Sequence, residues 1–198
     1  MSTLTQAIFT AAKSLPEGGI LAPKEFLHLG SRAAVDQALT RLTREGKLLR
    51  VGRGDYVIPV IGRFGSRAPS TVSVVQAIEG KKGEIIVHNG AAEANALGLT
   101  TQVPTREIFL TSGVSRTLQL GSRIVELKHG PRWQLILGKR PAGMAVRALS
   151  WLGSGQAHMA LSFLKEKLPA TEWEVLCSAR AILPDWMACA VGAASQHG

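Results

Sequence analysis

Hydrophobic positions in the first third of the chain follow a helical period three times and then switch to two short strand-like runs. Ile8, Ala11, Ala12 and Leu15 share one side of a helix that opens with the capping-box spacing Thr3/Gln6 and stops at Pro16 and the Gly18-Gly19 pair. Pro23 is tolerated in a first helical turn, which predicts a short second helix over 23–29 before Gly30 breaks the chain. A third helix is expected over 32–45, with Ser31 as its N-cap and Gly46 as its stop. Val35, Leu39 and Leu42 lie on one face of it, flanked by Ala34 and Ala38. At about 100° per residue, Ala33, Asp36, Gln37, Thr40, Arg41 and Arg44 lie on the other. The runs 48–51 and 56–58 then read as strands joined by Gly52-Arg53-Gly54-Asp55, a hairpin with a basic tip, and Pro59 ends the second strand.

Residues 63–70 are polar, basic and broken by Gly65 and Pro69, and they read as a linker. Beyond them a helix is expected over 71–79, closed by Gly80-Lys81-Lys82-Gly83. A strand over 84–88 and an alanine-rich helix over 91–97 follow. Strands over 107–110, 116–120, 124–128 and 133–137 are punctuated by Ser112-Gly113, Gly121-Ser122 and His129-Gly130-Pro131. After Pro141 the pattern turns helical, over 144–152, 156–167, a stretch from Thr171 (with the capping-box spacing Thr171/Glu174) to Pro184, and 186–194, leaving 195–198 as a frayed tail. The fold class is α+β. An N-terminal winged helix-turn-helix domain, 1–67, is followed by a C-terminal mixed α/β domain, 68–198, that ends in helices.

Charge gives that order a use. A net charge of +9 and a pI near 10.2 favour a polyanionic partner, and residues 1–67 carry ten Lys/Arg against five Asp/Glu. Helix, turn, helix and basic hairpin together suit duplex DNA, with short or amide side chains at base edges and guanidinium groups on phosphates. The expected contacts are Ser31, Arg32, Ala33, Asp36, Gln37, Thr40, Arg41, Arg44, Lys47, Arg50 and Arg53. Gln37 suits adenine, an arginine suits guanine, and Arg53 suits the backbone or minor groove. Arg63 and Arg67 stand where they could follow a phosphate chain. A solvated amphipathic helix explains 32–45 equally well by itself; the hairpin after it turns the reading toward DNA.

Other chemistry finds little support. Cys177 and Cys189 lack a CxxC or paired histidines, so neither a disulfide framework nor zinc is expected. His88, His129 and His158 are scattered, Glu172 and Glu174 do not share a helix face, and Ser112 and Ser115 lack the GxSxG context. Gly52-Arg53-Gly54 has no following helix and is no nucleotide loop. No catalytic residue, metal or cofactor is expected. No apolar run is long enough to span a membrane and the N-terminus lacks a basic n-region, which together predict a cytoplasmic protein without membrane contact.

GSRAAVDQALTRLTREGKLLRVGRGDYVIP at 30–59 and IVHNGAAEANALGLTTQVPTREIFLTSGVSRTLQLG at 86–121 resemble the AbiEi-type antitoxins of bacterial type IV toxin–antitoxin systems, with similarity over roughly 5–152. The resemblance implies an autorepressor that binds inverted repeats in its own promoter. It also implies an antitoxin that opposes a co-encoded nucleotidyltransferase-like toxin without a stable complex. Kinase activity, proposed for some relatives, is not carried over, because no glycine-rich loop, HRD or DFG segment is present. Three other readings stay open: a ligand-responsive winged-helix regulator with no toxin partner, an enzyme that modifies the toxin, and a pure interaction module.

Overall fold

A computed structural model describes residues 3–63 and 65–196. The chain is a mixed α+β protein of helices and small sheets. It divides into two compact units, one of residues 1–84 with 116–126 and one of residues 85–115 with 127–198. The 67/68 boundary expected from sequence falls inside the first of these.

In the first unit α1 (Thr3–Lys13), a 3-10 turn (Pro23–Phe26) and α2 (Arg32–Arg44) precede β1 (Leu49–Gly52) and β2 (Asp55–Val57). Thr3 already lies within α1, so it does not serve as the expected cap. Ser31 does cap α2, its Oγ accepting from the Ala34 amide at 3.3 Å. β1 and β2 pair antiparallel, Leu49 with Val57 and Gly52 with Asp55, which leaves Arg53-Gly54 as a two-residue turn with Gly54 at φ +76°. Leu21 bridges to Tyr56 and adds one more rung beside β2. Ile8, Leu21, Phe26, Val35, Leu39, Leu42, Leu48 and Tyr56 form the core that these elements share.

The first half of the expected linker, 63–70, instead holds β4 (Gly65–Arg67), which closes a second hairpin with the preceding β3 (Val60–Gly62), pairing Val60 with Arg67 and Ile61 with Ser66. Three-residue strands, Val60-Ile61-Gly62 and Gly65-Ser66-Arg67, are too short to show an alternation, and the polar, glycine-containing second one reads by composition as a loop. α3 (Thr71–Lys82) runs past Gly80 to end at Gly83, whose φ of +65° closes it. It is bound into this unit. Lys81 pairs with Glu25 and also reaches the Ile20 carbonyl, Lys82 pairs with Asp55 at 2.7 Å, and the Ser70 amide donates to Glu17 at 3.1 Å. Gly18 makes the close approach: at φ +79°, a Cβ there would lie 2.6 Å from the Ser73 carbonyl carbon. β7 (Arg116–Leu120) packs beside β1, and Arg123, at the start of β8 (Arg123–His129), donates to the Pro69 carbonyl at 2.9 Å and to Thr71 Oγ1 at 3.3 Å.

The second unit holds β5 (Ile86–His88) antiparallel to β6 (Glu107–Thr111), with β6 beside the end of β8. Its core is helical. α4 (Gly90–Ala96) packs on α6 (Pro141–Leu152) so closely that a Cβ on Gly90 would lie 2.4 Å from the Arg147 carbonyl oxygen. α7 (Ala157–Lys167), α8 (Ala170–Ser178), a 3-10 turn (Ala179–Ile182) and α9 (Asp185–Gln196) complete it. Two expectations fail here. Residues 133–137 are not a strand: α5 (Arg132–Leu135) forms a helical turn, because Arg147 gathers the Gln134 and Gly138 carbonyls at 3.0 and 2.9 Å. Thr171 lies inside α8, which Pro169 precedes as N-cap, so the second capping box is absent too. Of the expected tail, Ser195 and Gln196 belong to α9, and residues 197–198 lie outside the described residues.

Candidate nucleic-acid interface

α2 has two unlike faces. Val35, Ala38, Leu39 and Leu42 are buried against α1 and the hairpin, while Ala33, Gln37, Thr40, Arg41 and Arg44 are exposed and Asp36 is half-buried. Gln37, Arg41 and Arg44 stand at i, i+4 and i+7, so they form one stripe along the helix. With Asp36, Thr40 and Glu45 they line an open groove whose far edge is Leu4 and Thr5 of α1.

The expected contacts separate by what already engages them. Ser31 is committed to its cap. Arg32 Nε donates to Asp36 at 2.8 Å, so this exposed pair offsets the one carboxylate that would repel a phosphate from the helix N-terminus. Thr40 Oγ1 donates to the Asp36 carbonyl at 2.8 Å. Lys47 pairs with Glu45 at 2.7 Å and sits 5.6 Å from the Phe9 ring centroid. The Lys47 ammonium, as hydrogen-bond donor, holds the Glu45 carboxyl below its ordinary range. Arg50 Nε reaches the Gly52 carbonyl only at 3.4 Å. By contrast, the side chains of Gln37, Arg41, Arg44 and Arg53 form no hydrogen bond or ion pair among the described residues. Four of the eleven residues are therefore uncommitted, three on the helix stripe and one at the hairpin tip.

Sequence reasoning missed what supports that tip. Asp55, beside Arg53-Gly54, is buried and turns inward to Lys82 of α3 at 2.7 Å, so its charge is neutralised within the unit. Leu21 holds β2 from its free side, with backbone hydrogen bonds of 2.8 and 3.0 Å to Tyr56. Ile20-Leu21-Ala22, between a Gly-Gly pair and a proline, is too short a run to give a strand signal, and Lys82 sits 27 residues from its partner. Elsewhere, no group of three or more His, Cys, Asp or Glu side chains could hold a metal among the described residues. No helix of these residues is long and apolar enough to cross a membrane.

Fold and surface together define a mixed α+β protein with a basic, partly uncommitted helix face. Residues 7–167 match the model of a family of unknown function, DUF6088, and the chain belongs to that family. No curated protein matches it. The crystal structure of the RV2827C protein from Mycobacterium tuberculosis is similar, with a TM-score of 0.48 and 14% identity over 98% of this chain and 81% of that one.

Proposed function

We propose that the first unit is a winged helix that docks on duplex DNA, with α2 in the major groove and the β1–β2 hairpin as its wing. The observation that carries this is the uncommitted stripe Gln37, Arg41 and Arg44 on a helix whose opposite face is core, with Arg53 free at the adjoining turn. An amide and guanidinium groups without internal partners are available for base edges and phosphates. The chain acts as an autorepressor at its own promoter and, following the resemblance of 30–59 and 86–121, as an antitoxin against a nucleotidyltransferase-like toxin. It needs no cofactor and forms no stable complex with that toxin.

Binding of the full chain to its promoter duplex is the test. Gln37→Ala costs about 1–3 kcal/mol on the operator and relaxes base preference, whereas Arg53→Ala weakens all duplexes evenly and lowers the salt slope by about one. Equal loss on operator and random DNA for Gln37→Ala would refute the assigned orientation of α2. The antitoxin role is tested with the toxin driven from an unrelated promoter. Reversing charge at Arg41, Arg44 and Arg53 abolishes repression and spares growth rescue; a folded variant that loses both would tie antitoxicity to DNA binding.

A further inference from the structure

We propose that Arg32 and Asp36 act as one unit in DNA recognition, the ion pair presenting the Arg32 guanidinium to the N7 and O6 edge of a guanine rather than to a phosphate. The inference rests on the DNA-binding reading above and deepens it by naming a base. Arg32 is exposed on the first turn of α2, and Asp36 follows at i+4, one turn further along the same side. A single bond joins them, from Arg32 Nε to Asp36 Oδ2 at 2.8 Å. Neither side chain has another partner among the described residues, which leaves both Nη groups and Asp36 Oδ1 unbonded.

That arrangement decides between base and backbone. The bond through Nε fixes the plane of the guanidinium, and the two Nη groups at its end remain free as a pair of donors. Guanine offers two acceptors side by side in the major groove, N7 and O6, which match such a fork. A phosphate is disfavoured at the same place, because the adjoining Asp36 carboxylate repels anionic oxygens and leaves the pair without net charge. The side chains are 58% and 47% exposed, so both heads are reachable with the helix as it stands. Arg32 precedes Gln37 by five residues, which is about 7.5 Å along the helix, or two to three base pairs at about 3.4 Å each. The proposed guanine and adenine readers thus occupy the N-terminal half of α2, and the free Arg41 and Arg44 its C-terminal end. A recognition helix meets bases and backbone in that order.

The experiment uses the full chain to select duplexes from a randomised pool, and the selected site is then changed one base pair at a time. Removing the pair as a whole, Arg32→Ala with Asp36→Ala, should abolish discrimination at one G·C pair that the natural protein prefers roughly five- to 150-fold. Because the removed pair has no net charge, affinity for random duplex and the log–log salt slope should stay unchanged. That G·C pair should lie within about three base pairs of the position that Gln37→Ala relaxes. Placing 7-deazaguanine there, which lacks the N7 acceptor, should weaken binding of the natural protein and not of the double variant. Arg32→Lys keeps the charge and loses the fork, so it should lose the discrimination while binding random duplex as before, a result that also shows the variant folded. A double variant that weakens every duplex evenly and lowers the slope by about one would put Arg32 on a phosphate and overturn the inference. Unchanged discrimination at every G·C pair would overturn it as well, leaving the ion pair a brace for α2 only. In either case a response to Gln37→Ala leaves the DNA reading standing. Failure of the natural protein to enrich any duplex at about 50 mM salt overturns both.

Discussion

Arg147 of α6 is fully buried, and a single change there should cost the second unit more than any surface substitution. Its Nε and Nη2 donate to Glu93 Oε1 at 3.1 and 2.7 Å, and its Nη1 donates to the carbonyls of Gln134 and Gly138. One side chain thereby joins α4, α5 and α6. Arg147→Met keeps much of the volume but strands a buried carboxylate and removes the donor from both carbonyls. Loss of one partner of a buried pair costs about 3–5 kcal/mol. Adding Glu93→Leu removes the stranded charge, while the carbonyls stay deprived, at about 1–3 kcal/mol for each that remains buried. The double variant should therefore be more stable than Arg147→Met by roughly 1–3 kcal/mol, a coupling typical of contacting residues. The assay is selective by composition: Trp133, Trp151, Trp173 and Trp186 all lie in the second unit, and Tyr56, the single tyrosine, lies in the first. Urea unfolding followed by tryptophan fluorescence thus reports the second unit alone. A loss under about 1 kcal/mol for Arg147→Met, or strict additivity of the two changes, would refute the claim that this buried pair holds the helices together.

Two further outcomes follow from the geometry. Gly18 and Gly46 both have left-handed φ, +79° and +67°, but a Cβ at Gly18 would collide with Ser73 whereas one at Gly46 would meet nothing within 4 Å. Gly18→Ala should therefore destabilise the first unit well beyond the roughly 1–2 kcal/mol of backbone strain expected for Gly46→Ala. Amide exchange in α1–α3 measures both, and equal costs would contradict the close approach to Ser73. Glu172 accepts a bidentate hydrogen bond from Arg140 and another from the Ala142 amide at the start of α6, and these hold its carboxyl below the usual range, the Arg140 bond foremost. A folded-state value below the unfolded one stabilises above the ordinary carboxylate range near pH 4.3, and that stabilisation is lost as pH falls through it. Glu172→Gln should accordingly lower stability by a constant amount at neutral and alkaline pH and flatten the acid side of the tryptophan-monitored stability profile.

The parts legible in the sequence are those where one local signal decides the outcome. Ser31 before an apolar-periodic run, Gly46 after it and glycine at the hairpin turn set α2, β1 and β2 within a residue or two, and the exposed side of α2 carries the polar residues expected there. The parts that were not legible depend on partners remote in the chain. Trp133, Leu135 and Leu137 alternate like a strand, yet Arg147, from another helix, draws the Gln134 and Gly138 carbonyls into a helical turn. Thr3 and Thr171 have capping-box spacing, but each helix begins earlier than that spacing implies. The candidate interface divides the same way. Exposure of Gln37 and Arg41 follows from periodicity; the engagement of Lys47 by Glu45 and Phe9, and of Asp55 by Lys82, does not.

The largest departure concerns where the first unit ends, and it bears directly on how DNA binding can be tested. A chain cut at residue 67 keeps α2 and both early hairpins, the whole of the expected winged helix. It loses α3, whose buried Val74, Val75 and Ile78 contribute to the same unit, together with the Lys81 and Lys82 contacts to Glu25, Ile20 and Asp55. It also loses β7 with the following turn, which pack beside β1 and supply Arg123. Asp55 would then be a buried carboxylate without its cation, next to the turn that presents Arg53, and leaving such a charge unpaired is costly. The unit closes only when a strand pair some fifty residues downstream returns to it, so its stability is a property of non-adjacent segments. That is why the full chain, rather than its first third, is the object on which the α2 and hairpin variants have meaning.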